Sequence, residues 1–312
     1  MCELSFIIPC YRSENTVGAV VDEIVKECGT LNISDYEIIA VDDCSPDNVY
    51  EKLKSLGQDN PSVRAIRFAK NFGQHAGMIA GVQHSRGNIC VFLDDDGQCP
   101  LDRLGDLIAP LYNGYDVSIS EYGKKKQSLF KNIGSVFNGI VANLLIDKPK
   151  DIQMGNFMAF KRFVADEISK YKGPYPYISG LLFRSSAKVI NVPMEERERS
   201  SGGTTYTFRK LVALWSDSFT AFSIKPLRMA TIAGSCAAVI GLLLTVVTII
   251  RKLMYPAIPV GWSSMIAVML VMGGLILFVL GIVGEYVGRI YMSINETPQY
   301  VIAEMNNMDE MP

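Results

Sequence analysis

The chain has 312 residues, of which 49% are hydrophobic, and a formal net charge of −2. This length holds one large globular domain or one domain with an appendage, and a charge so close to zero argues against a nucleic-acid partner. Seven cysteines without a CxxC motif or a metal-type spacing are typical of a reducing compartment.

The first hundred residues alternate between short apolar runs and helical patterns. Between the first two runs, apolar residues from Val17 to Cys28 recur at helical spacing. The alternation predicts an α/β fold with a doubly wound, mostly parallel sheet. The runs expected to form its buried strands are LSFIIPC (4–10), YEIIAVDD (36–43), VRAIRFA (63–69) and ICVFLDD (89–95).

A polar cluster follows each of these predicted strands. In doubly wound sheets, ligands bind beyond the carboxyl ends of the strands, so the four clusters predict one site at one edge of the sheet. The clusters read PCYRSE, VDDCSPDN, AKNFGQH and LDDDGQ in chain order.

Three consecutive carboxylates, Asp94 to Asp96, come directly after the fourth apolar run. Close carboxylates repel one another, so a positive partner is expected beside them. One residue separates Asp94 from Asp96, so at the end of a strand both side chains would lie on the same side. Gln98, two residues further on, adds an amide oxygen. Such oxygen ligands predict Mg²⁺ or Mn²⁺, especially with substrate phosphates. A solvated acidic turn is the alternative.

A second acidic pair, Asp42 and Asp43, ends the second apolar run. A carboxylate at this position can accept a hydrogen bond from a ribose hydroxyl or from a nucleotide base. Helix capping by Asp43 or Ser45 is the alternative.

A group of lysines follows the strand-like DVSISEY (116–122). Positive charge on the active-site side would suit phosphate groups, whereas a solvated surface is the usual role of such a group. The residues are Lys124, Lys125, Lys126 and Lys131, and they flank Ser128.

Residues for several other chemistries are missing from the sequence. The chain has two histidines, His75 and His84, and no Ser/His/Asp or Cys/His set can be assembled, which argues against covalent hydrolase catalysis. The segment GQHAGMIAG contains glycines, but not in the order of a Walker A or dinucleotide-binding motif.

Two uncharged stretches near the C-terminus, 229–250 and 265–284, are each about 30 Å long as helices, enough to cross a bilayer. They predict a transmembrane hairpin, with buried core helices as the alternative. A hairpin places residues 1–228 and the C-terminal tail on one side of the membrane. Basic residues are more frequent at its outer ends than in the connecting loop, which predicts that this side is the cytoplasm.

The segment before the first stretch predicts a helix lying in the membrane interface, with a helix packed on the globular domain as the alternative. Its apolar stripe consists of Phe208, Leu211, Val212, Trp215, Phe219 and Phe222. At the end of the second stretch and just beyond it, glycines such as Gly284 and Gly288 allow close helix packing, either within the hairpin or between copies in a homo-oligomer.

Four motifs together resemble the family-two glycosyltransferases of the GT-A fold, and more closely the polyprenyl-phosphate glycosyltransferases, which include dolichol-phosphate mannose synthase and bacterial undecaprenyl-phosphate sugar transferases. The motifs are FIIPCYRSE, IIAVDDCSPDN, AKNFGQHAGMIAG and FLDDDGQCP. Three further segments resemble bacterial members with two C-terminal spans, and they are GYDVSISEY, SFTAFSIKPLRM and GEYVGRIYMSINETPQYV.

The resemblance implies a particular domain order and reaction. We expect a cytoplasmic GT-A domain (1–204), a juxtamembrane amphipathic region (205–226), two transmembrane helices (227–288) and a cytoplasmic tail (289–312). The enzyme would be a multi-pass protein of the inner membrane. It would transfer a sugar from a nucleotide-diphosphate sugar, a UDP-sugar, to polyprenyl phosphate with inversion at the anomeric carbon. A catalytically silent scaffold is the alternative. A processive polysaccharide synthase is disfavoured because neither Trp215 nor Trp262 lies in a QxxRW motif.

The resemblance also implies roles for individual residues. The expected donor-binding set is Pro9, Tyr11, Asp42, Asp43, Lys70, Asp94 and Asp95. The expected metal ligands are Asp94, Asp96 and Gln98, and the expected catalytic residues are Asp96, Gln98 and Asn156. The expected contacts to the acceptor and to phosphate are Lys124, Lys126, Ser128, Lys131, Arg199 and Tyr206.

Three positions depart from the family's pattern. Ser13 replaces the glutamate of the common YNE, and Thr205 replaces a lysine in the loop that starts at Arg199. Asn156 stands where many relatives have an aspartate that could act as a base. A phosphate monoester is already largely anionic at neutral pH, since its second pKa is about 6, so the expected transfer does not require that base.

Overall fold

A single eight-stranded sheet organises the globular part of the chain. The computed structural model describes residues 2–123, 151–174, 176–195, 197, 225–254 and 261–308. The strands are β1 (Leu4–Cys10), β2 (Tyr36–Asp42), β3 (Val63–Phe68), β4 (Ile89–Phe92), β5 (Val117–Tyr122), β6 (Met158–Lys161), β7 (Val189–Met194) and β8 (Ile302–Asn306). Their order across the sheet is β7-β5-β6-β4-β1-β2-β3-β8.

Helices follow most of the strands. They are α1 (Val17–Thr30), α2 (Val49–Asp59), α3 (Gln74–Gln83), α4 (Leu104–Tyr112), α5 (Arg162–Ser169), α6 (Ile178–Ser185), α7 (Lys225–Met254) and α8 (Trp262–Ile294). Strands β1 to β4 pair in parallel, whereas β6 is antiparallel to both of its neighbours, β4 and β5. The predicted doubly wound, mostly parallel sheet is therefore confirmed.

Strand β1 shows why the central strands are continuous apolar runs. Its residues Phe6 and Ile8 belong to the hydrophobic cluster that contains α1, whereas Ile7, between them, belongs to the cluster on the other face with Met78 and Ile79 of α3. Because successive strand residues point to opposite faces, a sheet covered by helices on both faces must be apolar at every position.

The segment after the last long helix returns to the sheet. Residues 289–312 are predicted to form a tail, but α8 continues to Ile294 and β8 then pairs antiparallel with β3 at the edge of the sheet. The Asn307 side chain donates hydrogen bonds to the carbonyls of Gly57 and Val63 at 2.6 and 3.0 Å. The described end of the tail is therefore part of the globular domain.

The two predicted membrane spans both lie within helices, since 229–250 falls in α7 and 265–284 falls in α8. Helices α7 and α8 contact each other. Among the described residues, Val271–Ile294 is the one stretch long and apolar enough to cross a membrane, with a mean hydropathy of 2.0. Large side chains such as Leu277 are exposed along it, which suits a lipid environment.

The glycines of α8 leave space open. A Cβ atom added at Gly284 or at Gly288 would meet no described atom within 4 Å. No described residue of the other helix therefore packs closely against these two glycines.

A buried ion pair fastens the amino-terminal edge of the sheet. The Glu37 carboxylate in β2 lies 2.5 Å from the Arg64 guanidinium in β3, and both side chains are less than a tenth exposed. Glu37 also accepts hydrogen bonds from the Ser5 hydroxyl at 2.7 Å and from the Arg86 backbone N–H at 2.5 Å. The Arg64 Nε atom donates to the Asn307 carbonyl at 3.2 Å, so this network includes the segment after α8.

Replacing Glu37 by glutamine should destabilise the fold, because it leaves a buried guanidinium without its counter-charge. We expect the free energy of unfolding to fall by about 3–5 kcal/mol, measured by denaturant unfolding of the purified protein in detergent. The matched control is Glu51→Gln, which removes an exposed pair with Lys54 and should cost less than about 1 kcal/mol. Equal stability of the two variants would contradict this assignment.

Candidate active site

The predicted site forms at the carboxyl edge of the sheet, but the acidic run lies beyond its strand. Strand β4 ends at Phe92, so Asp94 and Asp96 lie in the following loop, and the alternation argument from the sequence does not apply to them. The loop turns at Gly97, whose φ of +75° is readily accessible to glycine. These carboxylates are therefore positioned by a turn and by hydrogen bonds.

Asn156 reaches this loop through antiparallel pairing. Met158 at the start of β6 is opposite Phe92 at the end of β4, so continuing the register places Asn156 beside Asp94. The Asn156 amide donates to Asp94 Oδ2 at 2.5 Å, and its Oδ1 atom is buried without a hydrogen-bond partner. A Cβ atom at Gly155 would lie 2.3 Å from the Ser120 carbonyl oxygen, so only glycine allows this approach.

Asp94 is a half-buried carboxylate held by two amides. In addition to Asn156, the Gln74 side chain at the start of α3 donates to Asp94 Oδ1 at 2.8 Å. Burial raises the pKa of Asp94 to about 6; the Asn156 hydrogen bond opposes the shift, and the charges of Asp96 and Asp95 add to it. A cation at this position would stabilise the ionised form.

Asp95 joins the β4 loop to the loop after β1. Its Oδ2 atom accepts a hydrogen bond from the Tyr11 backbone N–H at 3.0 Å. The Tyr11 side chain is 46% exposed, and the next residue, Arg12, has a φ of +59°. Burial raises the pKa of Asp95, against the effect of its hydrogen bonds. Tyr11 is therefore a partly exposed aromatic residue with the Arg12 guanidinium 5.4 Å from its ring centroid, and its role in donor binding stays a prediction.

Asp43 holds the loop after β3. Its carboxylate accepts hydrogen bonds from the backbone N–H groups of Phe72 and Gly73, at 2.6 and 2.8 Å. Burial raises the pKa of Asp43, and these two hydrogen bonds oppose the shift. In the same loop, the Lys70 ammonium lies over the Phe72 ring, 5.0 Å from its centroid. Asp43 therefore determines where this predicted donor-binding lysine is placed.

Asp42 and Pro9 are buried within the sheet edge. Asp42 is 1% exposed, and it accepts a hydrogen bond from the Ser45 backbone N–H at 2.9 Å and lies 3.5 Å from Arg67. Burial raises the pKa of Asp42. Pro9 pairs with Val41 across β1 and β2. Both residues contribute to the shape of the loops around the site. Helix α2 begins at Val49 and has no side-chain cap, so the alternative that Asp43 or Ser45 caps a helix is wrong.

The third predicted metal ligand, Gln98, is fixed between two loops. Its backbone N–H donates to Asp96 Oδ1 at 3.1 Å, and its side-chain nitrogen donates to the Arg197 carbonyl at 3.3 Å. Arg197 in turn forms ion pairs with Glu23 and Asp102. The Gln98 amide oxygen, the atom predicted to bind a metal, is not used in either bond.

The predicted metal ligands are chemically suited to a divalent cation, although acidic residues alone do not complete the set. No group of three or more His, Cys, Asp or Glu side chains in the described ranges is arranged as a metal site. The predicted set consists instead of two carboxylates and one amide, from Asp94, Asp96 and Gln98, and all three offer the hard oxygen atoms that Mg²⁺ and Mn²⁺ prefer.

A cavity of about 630 Å³ adjoins Arg197 at the ends of β5 and β7, a size typical of small-ligand sites. Its lining carries both signs of charge and includes Asp102, Arg103, Glu121, Glu195 and Arg197. Such a lining suits a polar ligand.

Six residues predicted to contact the acceptor or phosphate lie outside the described residues. Residues 205–224, which make up most of the predicted interfacial region, also lie outside them. The six residues are Lys124, Lys126, Ser128, Lys131, Arg199 and Tyr206. Conversely, the structure adds Gln74 and Arg197 to the site. Gln74 lies in the polar cluster AKNFGQH and could have been selected from it, whereas nothing in the charged run around Arg197 indicates that its carbonyl binds Gln98.

Comparison with known proteins identifies the fold. The crystal structure of glucosyl-3-phosphoglycerate synthase from Mycobacterium tuberculosis with Mn²⁺ and UDP-glucose superposes with a TM-score of 0.51 at 18% identity, covering 76% of this chain and 79% of that chain. The fold is therefore GT-A-like, as the motifs predicted.

The family follows from the sequence comparisons. Residues 5–169 match the model for glycosyl transferase family 2, and residues 225–290 match the model for the GtrB C-terminal hairpin. The chain belongs to glycosyl transferase family 2, so the recognised family is confirmed. An uncharacterised glycosyltransferase of Bacillus subtilis, YkcC, is 31% identical over 96% of this chain and 93% of that protein.

A further relative has a more specific name. The undecaprenyl-phosphate 4-deoxy-4-formamido-L-arabinose transferase of Proteus mirabilis is 30% identical to this chain, over 97% of this chain and 94% of that protein.

Replacing Asn156 by alanine should reduce glycosyl transfer, because Asp94 loses a hydrogen bond to its charged form. A bond of this kind contributes about 1.5–3 kcal/mol, so we expect kcat/KM to fall roughly 10- to 100-fold. The control is Asn113→Ala at the exposed end of α4, which should retain activity. Normal kcat/KM in the Asn156 variant would remove this residue from the site.

Proposed function

We propose that the protein transfers a sugar from a UDP-sugar to a polyprenyl phosphate, with undecaprenyl phosphate as the acceptor, at the cytoplasmic face of the inner membrane. The observation that carries the proposal is the acidic edge of a GT-A-like sheet in a chain that also contains a long apolar helix. A transferase acting on a soluble acceptor has no need of that helix. A lipid phosphate, by contrast, is confined to the membrane surface.

The donor would bind along the loops after β1, β2, β3 and β4. Tyr11 offers an exposed ring, Lys70 offers a cation for phosphate, and Asp43 and Asp95 hold the loops that carry these two residues. The choice of UDP is supported by the neighbouring synthase of the same fold, whose crystal structure contains UDP-glucose.

Asp94, Asp96 and Gln98 would hold Mg²⁺ or Mn²⁺. The ion would act as a Lewis acid that neutralises charge on the leaving diphosphate. The protein's own contribution is to fix these oxygens: Gln74 and Asn156 orient Asp94, while the Asp96–Gln98–Arg197 contacts fix the rest of the loop. The neighbouring synthase was crystallised with Mn²⁺, which supports a divalent ion in this fold.

The chemical step would be a single in-line displacement. An acceptor phosphate oxygen forms a bond to the anomeric carbon, the bond from that carbon to the donor diphosphate breaks, and UDP leaves with the electron pair. One displacement inverts the anomeric configuration. Because the acceptor phosphate is already anionic near neutral pH, the residues must position it rather than deprotonate it. Asn156 can accept a hydrogen bond from a sugar hydroxyl through its Oδ1 atom, or donate its second amide N–H to an acceptor oxygen.

The membrane arrangement is part of the proposal. Residues 225–290 match a C-terminal hairpin model, which supports two spans with both ends on one side. Arg251 and Lys252 are the basic residues of the connection, fewer than those near the outer ends, so the active site would face the cytoplasm. Association through the α8 glycines into a homo-oligomer would use their open surface.

A catalytically silent scaffold remains the second candidate because Thr205 and Asn156 depart from the family's pattern. The hydrogen bonds from Gln74 and Asn156 to the half-buried Asp94 argue against it, because a loop with only a structural role does not need a carboxylate whose pKa is raised to about 6. Metal binding without any donor-dependent turnover would favour the scaffold.

Asp96→Asn should abolish transfer, because it removes a charged metal ligand without changing the shape of the loop. We would incubate the purified protein with undecaprenyl phosphate and a panel of UDP-sugars, with Mg²⁺, Mn²⁺ or a chelator, and detect sugar-phospholipid products by mass spectrometry. The expected result is one productive donor and loss of product with chelator.

The matched control is Asp22→Asn on the exposed face of α1, which should be as active as the wild type. Normal activity of Asp96→Asn would refute the metal assignment. Absence of product from the folded wild type with every UDP-sugar and every other nucleotide sugar would refute the proposed reaction.

A further inference from the structure

The loop between β3 and α3 is supported by a segment that follows the membrane hairpin in sequence. This loop, residues 69–73, carries Lys70 and the two N–H groups that bind Asp43. Its first residue, Ala69, donates its backbone N–H to the carbonyl of Val301 at 2.8 Å. The pairing of β3 with β8 has a register shift at Arg67/Phe68, directly before the loop.

Aromatic packing continues this support into the loop. The Tyr300 ring stacks on the Phe68 ring with centroids 5.0 Å apart and an interplanar angle of 14°. Phe68 in turn meets Phe72 edge-on at 5.7 Å. Tyr300 and Ile302 belong to the same hydrophobic cluster as Phe72. The Phe72 N–H donates to Asp43, so two ring contacts connect Tyr300 to a residue that binds this carboxylate.

Tyr300 is itself held in place by polar contacts. Its hydroxyl donates to the Gln83 side chain at the end of α3. The preceding side chain, Gln299, donates to the carbonyls of Tyr171 and Gly173 at 2.6 and 2.8 Å. The segment 299–302 is therefore fixed to the domain before β8 begins, only a few residues after α8 ends at Ile294.

We infer that Tyr300 is a positioning residue for donor binding: it holds loop 69–73, and with it Lys70 and Asp43, in the geometry that the nucleotide sugar requires. The inference rests on the proposed function for the identity of the ligand. In addition to completing the sheet edge, the C-terminal segment would then hold loop 69–73. Segment 299–302, which contacts this loop, follows shortly after α8 along the chain.

The test compares three variants of the full chain in detergent micelles. Tyr300→Ala removes the stacking, Tyr300→Phe keeps the stacking and loses only the hydroxyl, and Asn307→Gly releases the far end of β8. Glycine suits position 307 because Asn307 has a φ of +55°. Asn307 bonds to Gly57 and Val63, away from loop 69–73, so this variant separates loss of stability from loss of loop position.

The first readout is hydrogen–deuterium exchange, which needs no substrate. Tyr300→Ala should accelerate exchange of the Phe72 and Gly73 amides at least about tenfold, while exchange in β1 and β2 is unchanged. Tyr300→Phe should restore most of the protection. Asn307→Gly should lower the melting temperature without affecting these two amides. Unchanged exchange at Phe72 and Gly73 in Tyr300→Ala would overturn the inference.

The second readout is kinetic. Tyr300→Ala should raise the KM for the donor about tenfold and leave the KM for the lipid acceptor unchanged, and Tyr300→Phe should stay close to the wild type. Equal effects on both KM values, or an equal donor effect in Asn307→Gly, would also overturn it. Faster exchange in a protein whose wild type transfers no sugar would refute the proposed function and leave the loop support established.

Discussion

Full or partial burial of several carboxylates at one edge of the sheet is the constraint on which the rest of the site depends. Each buried charge must be compensated, and here backbone and amide N–H groups from other loops supply that compensation. Tyr11 donates to Asp95, Phe72 and Gly73 donate to Asp43, and Asn156 donates to Asp94. The acidic groups therefore tie together the loops after β1, β2, β3 and β4 and the approach to β6, while their raised pKa values show that folding alone does not favour their charge.

Much of this arrangement is visible in the sequence because it depends on local signals. Apolar runs bounded by polar clusters predict both ends of β1, β2 and β3 to within one residue, and they also predict the first residue of β4. The edge of the sheet that carries the site follows from the strand–helix alternation. The residues that donate hydrogen bonds to the carboxylates cannot be predicted from that alternation. Asn156 meets Asp94 only through the register of an antiparallel strand, and Gln74 does so only through the placement of α3. Such pairings are determined by tertiary packing, for which a short sequence window contains no signal.

The site also illustrates why a missing base need not remove activity. Deprotonation matters when a nucleophile is neutral at working pH, and the phosphate proposed here is not. What remains is the placement of two charged substrates that repel each other, which is a problem of position and of counter-charge. An amide at position 156 can serve this need because it donates to Asp94 and adds no further negative charge to an edge already rich in carboxylates. An aspartate there would have to share that space with Asp94 and would raise the cost of ionising both.

The path of the chain places the two long helices, α7 and α8, between parts of one domain. The chain leaves the sheet after β7, passes through α7 and α8, and returns to add β8 beside β3. The globular domain is thus discontinuous in sequence: β8, which follows α8 along the chain, completes the edge of a sheet whose other strands all precede α7. A fragment that ended before α7 would leave β3 as an unpaired edge next to loop 69–73, and an unpaired strand edge is open to pairing with another chain.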